Sequence, residues 1–164
     1  MARPRIPQSR KKAVRLPTIF RNTPAEEQQL KLVPHTHLAA LADGKGTTNA
    51  YATVVFRTLV GGMLTVLTEE QCEKALAAEF DEAIRALLAM GERHEGGLPL
   101  IATETEHALI GRALVLADDL QDVCTRKQQA EAYRWVEPLV GGLSFTVRQL
   151  RVVLSHRPSA QRPN

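Results

Sequence analysis

Apolar residues recur at three- and four-residue spacing along much of the chain, the spacing that gathers them into one stripe on a helix. The clearest run is Thr68 to about His94, where Cys72, Leu76, Phe80, Ala83, Leu87 and Met90 share a face flanked by Ala75, Ile84 and Leu88. Glu73, Glu79, Asp81, Glu82 and Arg85 surround that stripe. Its start reads as a capping box, in which Thr68 accepts from the N–H of Gln71 and the Gln71 side chain reaches back to the N–H of Thr68. Glu69, Glu70 and Glu73 fill the first turn, where carboxylates meet the positive end of the helix dipole. Two further boxes, Thr103 with Glu106 and Thr125 with Gln128, mark two more starts. From Thr103 the stripe continues through Ile110, Ala113, Leu114, Ala117, Leu120 and Val123 or Cys124. The box at Thr125 predicts a break and a separate helix over 126–136, with Ala132 and Trp135 or Val136 inward and Pro138 ending it. One uninterrupted rod is the alternative.

Upstream, Thr23 and Pro24 suit the cap and first residue of a short helix over 26–33, which Pro34 is expected to stop. His35 to Ala42 then forms a second short helix, closed by Asp43 and by Gly44 in a left-handed conformation. From Thr47 or Thr48 to about Val66 the pattern changes. Val54, Val55, Leu59, Val60, Met63 and Val66 cover most sides of one helix, which marks it as central. Gly61 and Gly62 in its middle each cost about 1 kcal/mol against alanine. They point either to close approach of a neighbouring backbone or to a kink. After Gly91, residues 95–99 form a loop, and Leu100 and Ile101 suggest a brief extended step. Residues 143–154 fit a helix through Leu143, Val147, Leu150 and Leu154, although S-F-T-V-R and R-V-V-L also read as strand. The tetrapeptide L-V-G-G occurs at 59–62 and again at 139–142, but unmatched flanks argue against a repeat.

The expected fold is therefore all-α: a compact, mostly antiparallel bundle of five to seven helices, one domain over 26–155, with disordered basic tails at 1–25 and 156–164. Composition agrees, since only 4% of the 164 residues are aromatic and aliphatic side chains must fill the core. Charge adds something the stripes do not show. Residues 1–21 hold seven Arg or Lys and no acid, and the chain from Leu143 onward holds four Arg and no acid. All 18 carboxylates lie between Glu26 and Glu137 beside 10 Lys or Arg, leaving that body with about eight net negative charges. An acidic body thus carries two basic ends.

Cys72 and Cys124 both fall on apolar stripes and are expected to be buried free thiols in a reducing cytoplasm. The charged N-terminus, broken by Pro4, Pro7 and Pro17, does not read as a secretory leader. Tyr51 to Leu67, interrupted by Thr53, Arg57, Thr58, Gly61, Gly62 and Thr65, reads as too polar to span a bilayer, so a cytoplasmic chain without membrane contact is expected.

Enzyme chemistry finds little footing. Glu104, Glu106 and His107 cluster at a helix start, where capping and the dipole already account for the acids, and no second ligand stands at metal spacing. His35 and His37 would point to different sides of a helix, and His94 and Glu95 precede a Gly-rich loop. The run D-G-K-G-T-T at Asp43–Thr48 has the residues of a phosphate loop but not the G-x-x-x-x-G-K-[ST] order, and it follows a helix instead of a strand. No catalytic residue, cofactor or metal is expected. His37 to about Phe56 has the size of a helix-turn-helix reader, but its second helix offers valines and leucine where base edges need polar groups. The basic N-terminal tail is the remaining candidate: Arg3, Arg5, Arg10, Lys11, Lys12 and Arg15 could contact phosphates through counterion release. That reading predicts duplex DNA binding that weakens with salt and disappears on deleting residues 1–21; absence of binding at low salt would end it.

Three stretches, L-x-x-L-A-D-G-K-G-T at Leu38–Thr47, A-x-x-A-L-L-A-M at Ala83–Met90 and T-E-T-E-H-A-L with L-A-D-D-L-Q-D-V-C-T between Thr103 and Thr125, resemble a group of small helical proteins. That group is encoded on phages, plasmids and genomic islands of proteobacteria, and the resemblance spans roughly residues 38–136. The group often has a Gly beside the second capping threonine, where this chain has Thr103-Glu104. The resemblance implies an accessory protein of a bacterial cytoplasm and transfers no active site. The expected function is a non-enzymatic accessory or regulatory role through protein–protein contact or self-association, with nucleic-acid binding by the tail as the alternative.

Overall fold

Threonine hydroxyls begin four of the helices in the computed structural model of the chain, which describes residues 23–68 and 74–156. Thr23 opens α1 (Pro24–Ala42) and Thr47 opens α2 (Thr48–Leu67). Thr103 with Glu106 opens α4 (Glu104–Val123), and Thr125 with Gln128 opens α5 (Arg126–Val136). Each hydroxyl accepts one of the backbone N–H groups that a helix start leaves unpaired. Among the described residues, α3 (Lys74–Glu95), a 3-10 turn at Glu137–Leu139 and α6 (Leu143–His156) complete the set. There is no strand among the described residues, so the fold is an all-α bundle. The ambiguous C-terminal stretch is helix. The box expected at Thr68 and Gln71 falls on residues 69–73, outside the described residues. Thr68 itself closes α2, its hydroxyl donating to Leu64 O at 2.7 Å. Cys72 lies outside the description, and so do residues 1–22 and 157–164 of the tails read as 1–25 and 156–164; the remaining tail residues are ordered, Thr23 to Ala25 as the cap and start of α1 and His156 as the end of α6.

The break at Cys124–Thr125 is present. Cys124 takes an extended backbone (φ −77, ψ 145), and α4 and α5 are separate helices. Pro34, by contrast, does not stop α1. An interior proline removes one ladder bond and costs about 3 kcal/mol or more in an isolated helix. Here Pro34 is buried on the face that carries Leu38 and Leu41. Side chains on both sides of it reach α4: Lys31 Nζ pairs with Asp122 at 2.5 Å, and His35 Nε2 stands 2.9 Å from Asp118. Tertiary contact holds the two halves in line, and the two short helices read from the sequence are one. After Ala42, Gly44 (φ 72) makes the expected left-handed turn, and Lys45 N–H returns to Ala40 O at 2.9 Å.

The central helix is α2, which packs against all five other α-helices. Val54, Val55, Val60 and Leu64 are fully buried. Contrary to the expectation that its polar interruptions make it too polar for a bilayer, an 18-residue stretch of this 20-residue helix reaches a mean hydropathy of 1.5, long and apolar enough to cross one; 67% of that stretch is covered by neighbouring helices. The polar interruptions are absorbed locally: Thr58 donates to Val54 O at 2.9 Å and Thr65 to Gly62 O at 2.7 Å. Gly61 serves close approach, but of side chains from α3 and α4 in place of the backbone expected. A methyl there would overlap the Phe80 ring and lie 2.7 Å from Ala117 Cβ. Gly91 lies inside α3, and a methyl on it would press on Val147 at 2.6 Å and on the Tyr51 hydroxyl. That hydroxyl donates to Leu87 O at 2.9 Å; burial, then the charges of Glu95 and Glu92, push its pKa up, so it remains a donor. The α3–α4 loop is not extended strand. It is tied to the end of α1 by Ala102 N–H to Leu41 O at 3.1 Å, with Leu100 buried.

Candidate functional site

Arg57 is the one charged residue on α2, and only 6% of it is exposed. Its guanidinium points across to α4. There Nε donates to Asp118 Oδ1 at 3.2 Å, Nη2 donates to the same oxygen at 2.5 Å and to Ala117 O at 3.2 Å, and Nη1 donates to Gln121. The second oxygen of Asp118 faces His35 on α1. One carboxylate thus joins three helices, and each of the three guanidinium nitrogens of the buried charge has a partner. A cleft of about 180 Å³ opens beside this cluster, walled by Pro34, Phe56 and Tyr133. Its rim cations are engaged as well: Lys31 with Asp122 at 2.5 Å and Arg126 with Glu27 at 2.6 Å. The cluster fastens α1, α2, α4 and α5 together, and its chemistry is that of a clasp.

A buried acid, Glu106, sits at the α4 start. Arg93 donates to both its oxygens, at 2.6 and 2.7 Å, and the Thr103 N–H adds a third bond at 2.9 Å. Burial pushes the Glu106 carboxyl up, but the Arg93 guanidinium and the Thr103 N–H outweigh it and hold the group below its ordinary 4.5. A lowered folded-state pKa means that the native state holds its proton less tightly than the unfolded chain does. The resulting stabilisation is complete above about pH 4.5 and is lost as pH falls through the lower folded value. Acid titration followed by circular dichroism should therefore show stability dropping below about pH 4.5, with a smaller drop in Glu106→Gln. An unchanged acid limb in the variant would remove Glu106 from the account.

The other residues singled out in the sequence are dispersed. Glu104 and His107 are exposed and do not join Glu106, and no group of three His, Cys, Asp or Glu able to hold a metal occurs among the described residues. His94 Nδ1 bonds Leu98 O at 2.8 Å, bracing the Gly96–Gly97 loop. His37 Nδ1 is buried without a hydrogen-bond partner. Cys124 is 8% exposed and caps α4 by its backbone N–H to Leu120 O. Lys45 in the D-G-K-G-T-T run is exposed on a helix–helix turn, and the Thr47 hydroxyl caps α2. As the second helix of a helix-turn-helix, α2 would have to enter a DNA groove, but five helices cover it. Arg3, Arg5, Arg10, Lys11, Lys12 and Arg15 lie outside the described residues.

The feature that sequence reading missed is an apolar groove of about 510 Å³ between the C-terminal half of α2, α5 and α6. Leu59, Met63 and Val66 form its floor, with Trp135 and Leu139 on one wall and Val152 and Val153 on the other. Three of these are unusually open for their type: Trp135 at 59%, Val66 at 47% and Val152 at 45%. Among the described residues, Gln149 and His156 are the polar side chains that line it beside the indole edge, so it can take up apolar groups. The pairing of Trp135 with Val136 in the sequence left open which of the two turned inward. Val136 does, at 2% exposure, and that choice is what leaves the indole on the groove's edge. No family model, curated protein or solved structure matches the chain.

Proposed function

We propose that the chain is a non-enzymatic accessory or regulatory protein of a mobile element, acting through protein–protein contact at the α2–α5–α6 groove. The observation that carries this reading is the concentration of Trp135, Val66 and Val152, all open to solvent, around one hollow. Single exposed apolar residues are ordinary, but a contiguous patch around a concavity marks a contact surface. The resemblance over residues 38–136 supports the mobile-element setting.

A test uses an apolar dye, 1-anilinonaphthalene-8-sulfonate, with dilute folded protein. The dye should brighten in the presence of the wild-type chain, and Val152→Asp should remove most of that signal while circular dichroism stays unchanged. A wild-type protein that leaves the dye dark overturns the groove as a docking surface.

A further inference from the structure

The clasp at Arg57 leaves hydrogen-bond donors over, on residues that line the cleft beside it. A guanidinium carries five N–H donors. Arg57 makes four hydrogen bonds, one from Nε, two from Nη2 and one from Nη1 to Gln121. The second N–H of Nη1 has no acceptor among the described residues. Arg57 is only 6% exposed, and a donor buried without an acceptor is costly. Gln121 gives its side-chain oxygen to the same nitrogen, which fixes its Nε2 as a donor, and that amide has no acceptor among the described residues either. Arg57 and Gln121 both line the cleft.

Charge and shape narrow what such donors would hold. Lys31, Arg57 and Arg126 line the cleft against one acid, Glu27, whereas Asp118 and Asp122, which pair with Arg57 and Lys31, do not line it. Phe56 and Tyr133 supply an aromatic wall, their ring centres 5.5 Å apart and their planes inclined by 48°. The volume, about 180 Å³, exceeds the roughly 150 Å³ in which a benzene ring is held and falls short of a drug-sized pocket. We infer that the cleft is a binding site for a small aromatic carboxylate. The carboxylate accepts from Arg57 Nη1 and the Gln121 amide, and the single ring lies against Phe56 and Tyr133. This site shares no lining residue with the α2–α5–α6 groove and stands apart from the docking role proposed there.

Benzoate is the probe, with benzamide and benzylamine as neutral and cationic counterparts of similar size. Isothermal titration calorimetry on the full chain should show benzoate binding with a Kd of about 1 mM or tighter, within reach of a ligand this small. Benzamide should bind at least about fivefold more weakly, and benzylamine should not bind. Gln121→Glu keeps the shape of the side chain and an acceptor for Arg57, but exchanges the spare amide donor for a like charge. It should lose at least about tenfold in benzoate affinity while helical circular dichroism stays unchanged. Arg126→Gln, at a half-exposed cation, should lose about threefold. Thr53→Phe fills the cleft without altering its charge, and the hydroxyl it removes bonds Asn49 O within the same helix. That variant should abolish binding. No heat with benzoate overturns the site. Benzamide or benzylamine binding as tightly as benzoate overturns its assignment to an anion. Benzoate affinity unchanged in folded Gln121→Glu or folded Thr53→Phe places the ligand elsewhere and also overturns the inference.

Discussion

Replacing Asp118 with alanine should lower the unfolding free energy by about 3 kcal/mol, near the lower end of what breaking one side of a buried ion pair costs. The reason lies in what is left behind. Arg57 is 6% exposed and cannot swing to water without leaving the core, so without Asp118 it keeps only Gln121 and Ala117 O. Asp118 is 20% exposed on its side chain, which tempers the loss. Removing both charges together is a different matter. The pair Arg57→Met with Asp118→Leu should recover most of the lost stability, since well-packed apolar residues replace buried ion pairs at little cost or with a gain. Urea denaturation of the three proteins, followed by helical circular dichroism, separates these outcomes. A single Asp118→Ala that costs under about 1 kcal/mol would show that the clasp contributes no more than an exposed pair.

The second large effect is expected at Phe80, whose ring is fully buried against Gly61. Phe80→Ala should cost about 3–5 kcal/mol, from lost transfer energy and the cavity beside α2. Gly61→Ala alone gains about 1 kcal/mol in helix propensity but drives a methyl into the Phe80 ring and toward Ala117, an overpacking penalty of about 1–3 kcal/mol. It should therefore be neutral to destabilising. In the double variant the new methyl enters space that the ring has vacated. The two changes should then cost less than their separate effects added together, by more than about 0.5 kcal/mol. Strict additivity in the same urea measurement would mean that the ring is not what requires glycine at this position.

Much of the segmentation was legible because its signals are local. A capping box spans four residues, and the boxes at Thr103 and Thr125 separated α4 from α5 without any knowledge of what packs against them. Pro34 misled for the complementary reason. The contacts that carry α1 through it come from Asp118 and Asp122, more than eighty residues away, and no local pattern announces them. The Arg57 clasp is of the same kind, with partners 61 and 64 residues along the chain. From the sequence Arg57 was only an interruption in an apolar run. The groove depends on which of two adjacent apolar residues, Trp135 or Val136, turns inward once α5 meets α2. A periodicity argument leaves both on nearly the same stripe.

The position of α2 bears on how this molecule can come apart. Helices that share one central partner lose their common apolar support together when that partner is removed, so the smaller helices have little means of opening in sequence as independent units. A fragment beginning after Leu67 would keep the packing of α3 on α4 and α6 but lose the helix that supports the other buried faces of α4 and α5. Amide protons in the middle of α2 should accordingly be the slowest in the chain to exchange with solvent, released only when the whole body unfolds. The bundle is expected to unfold as one cooperative unit.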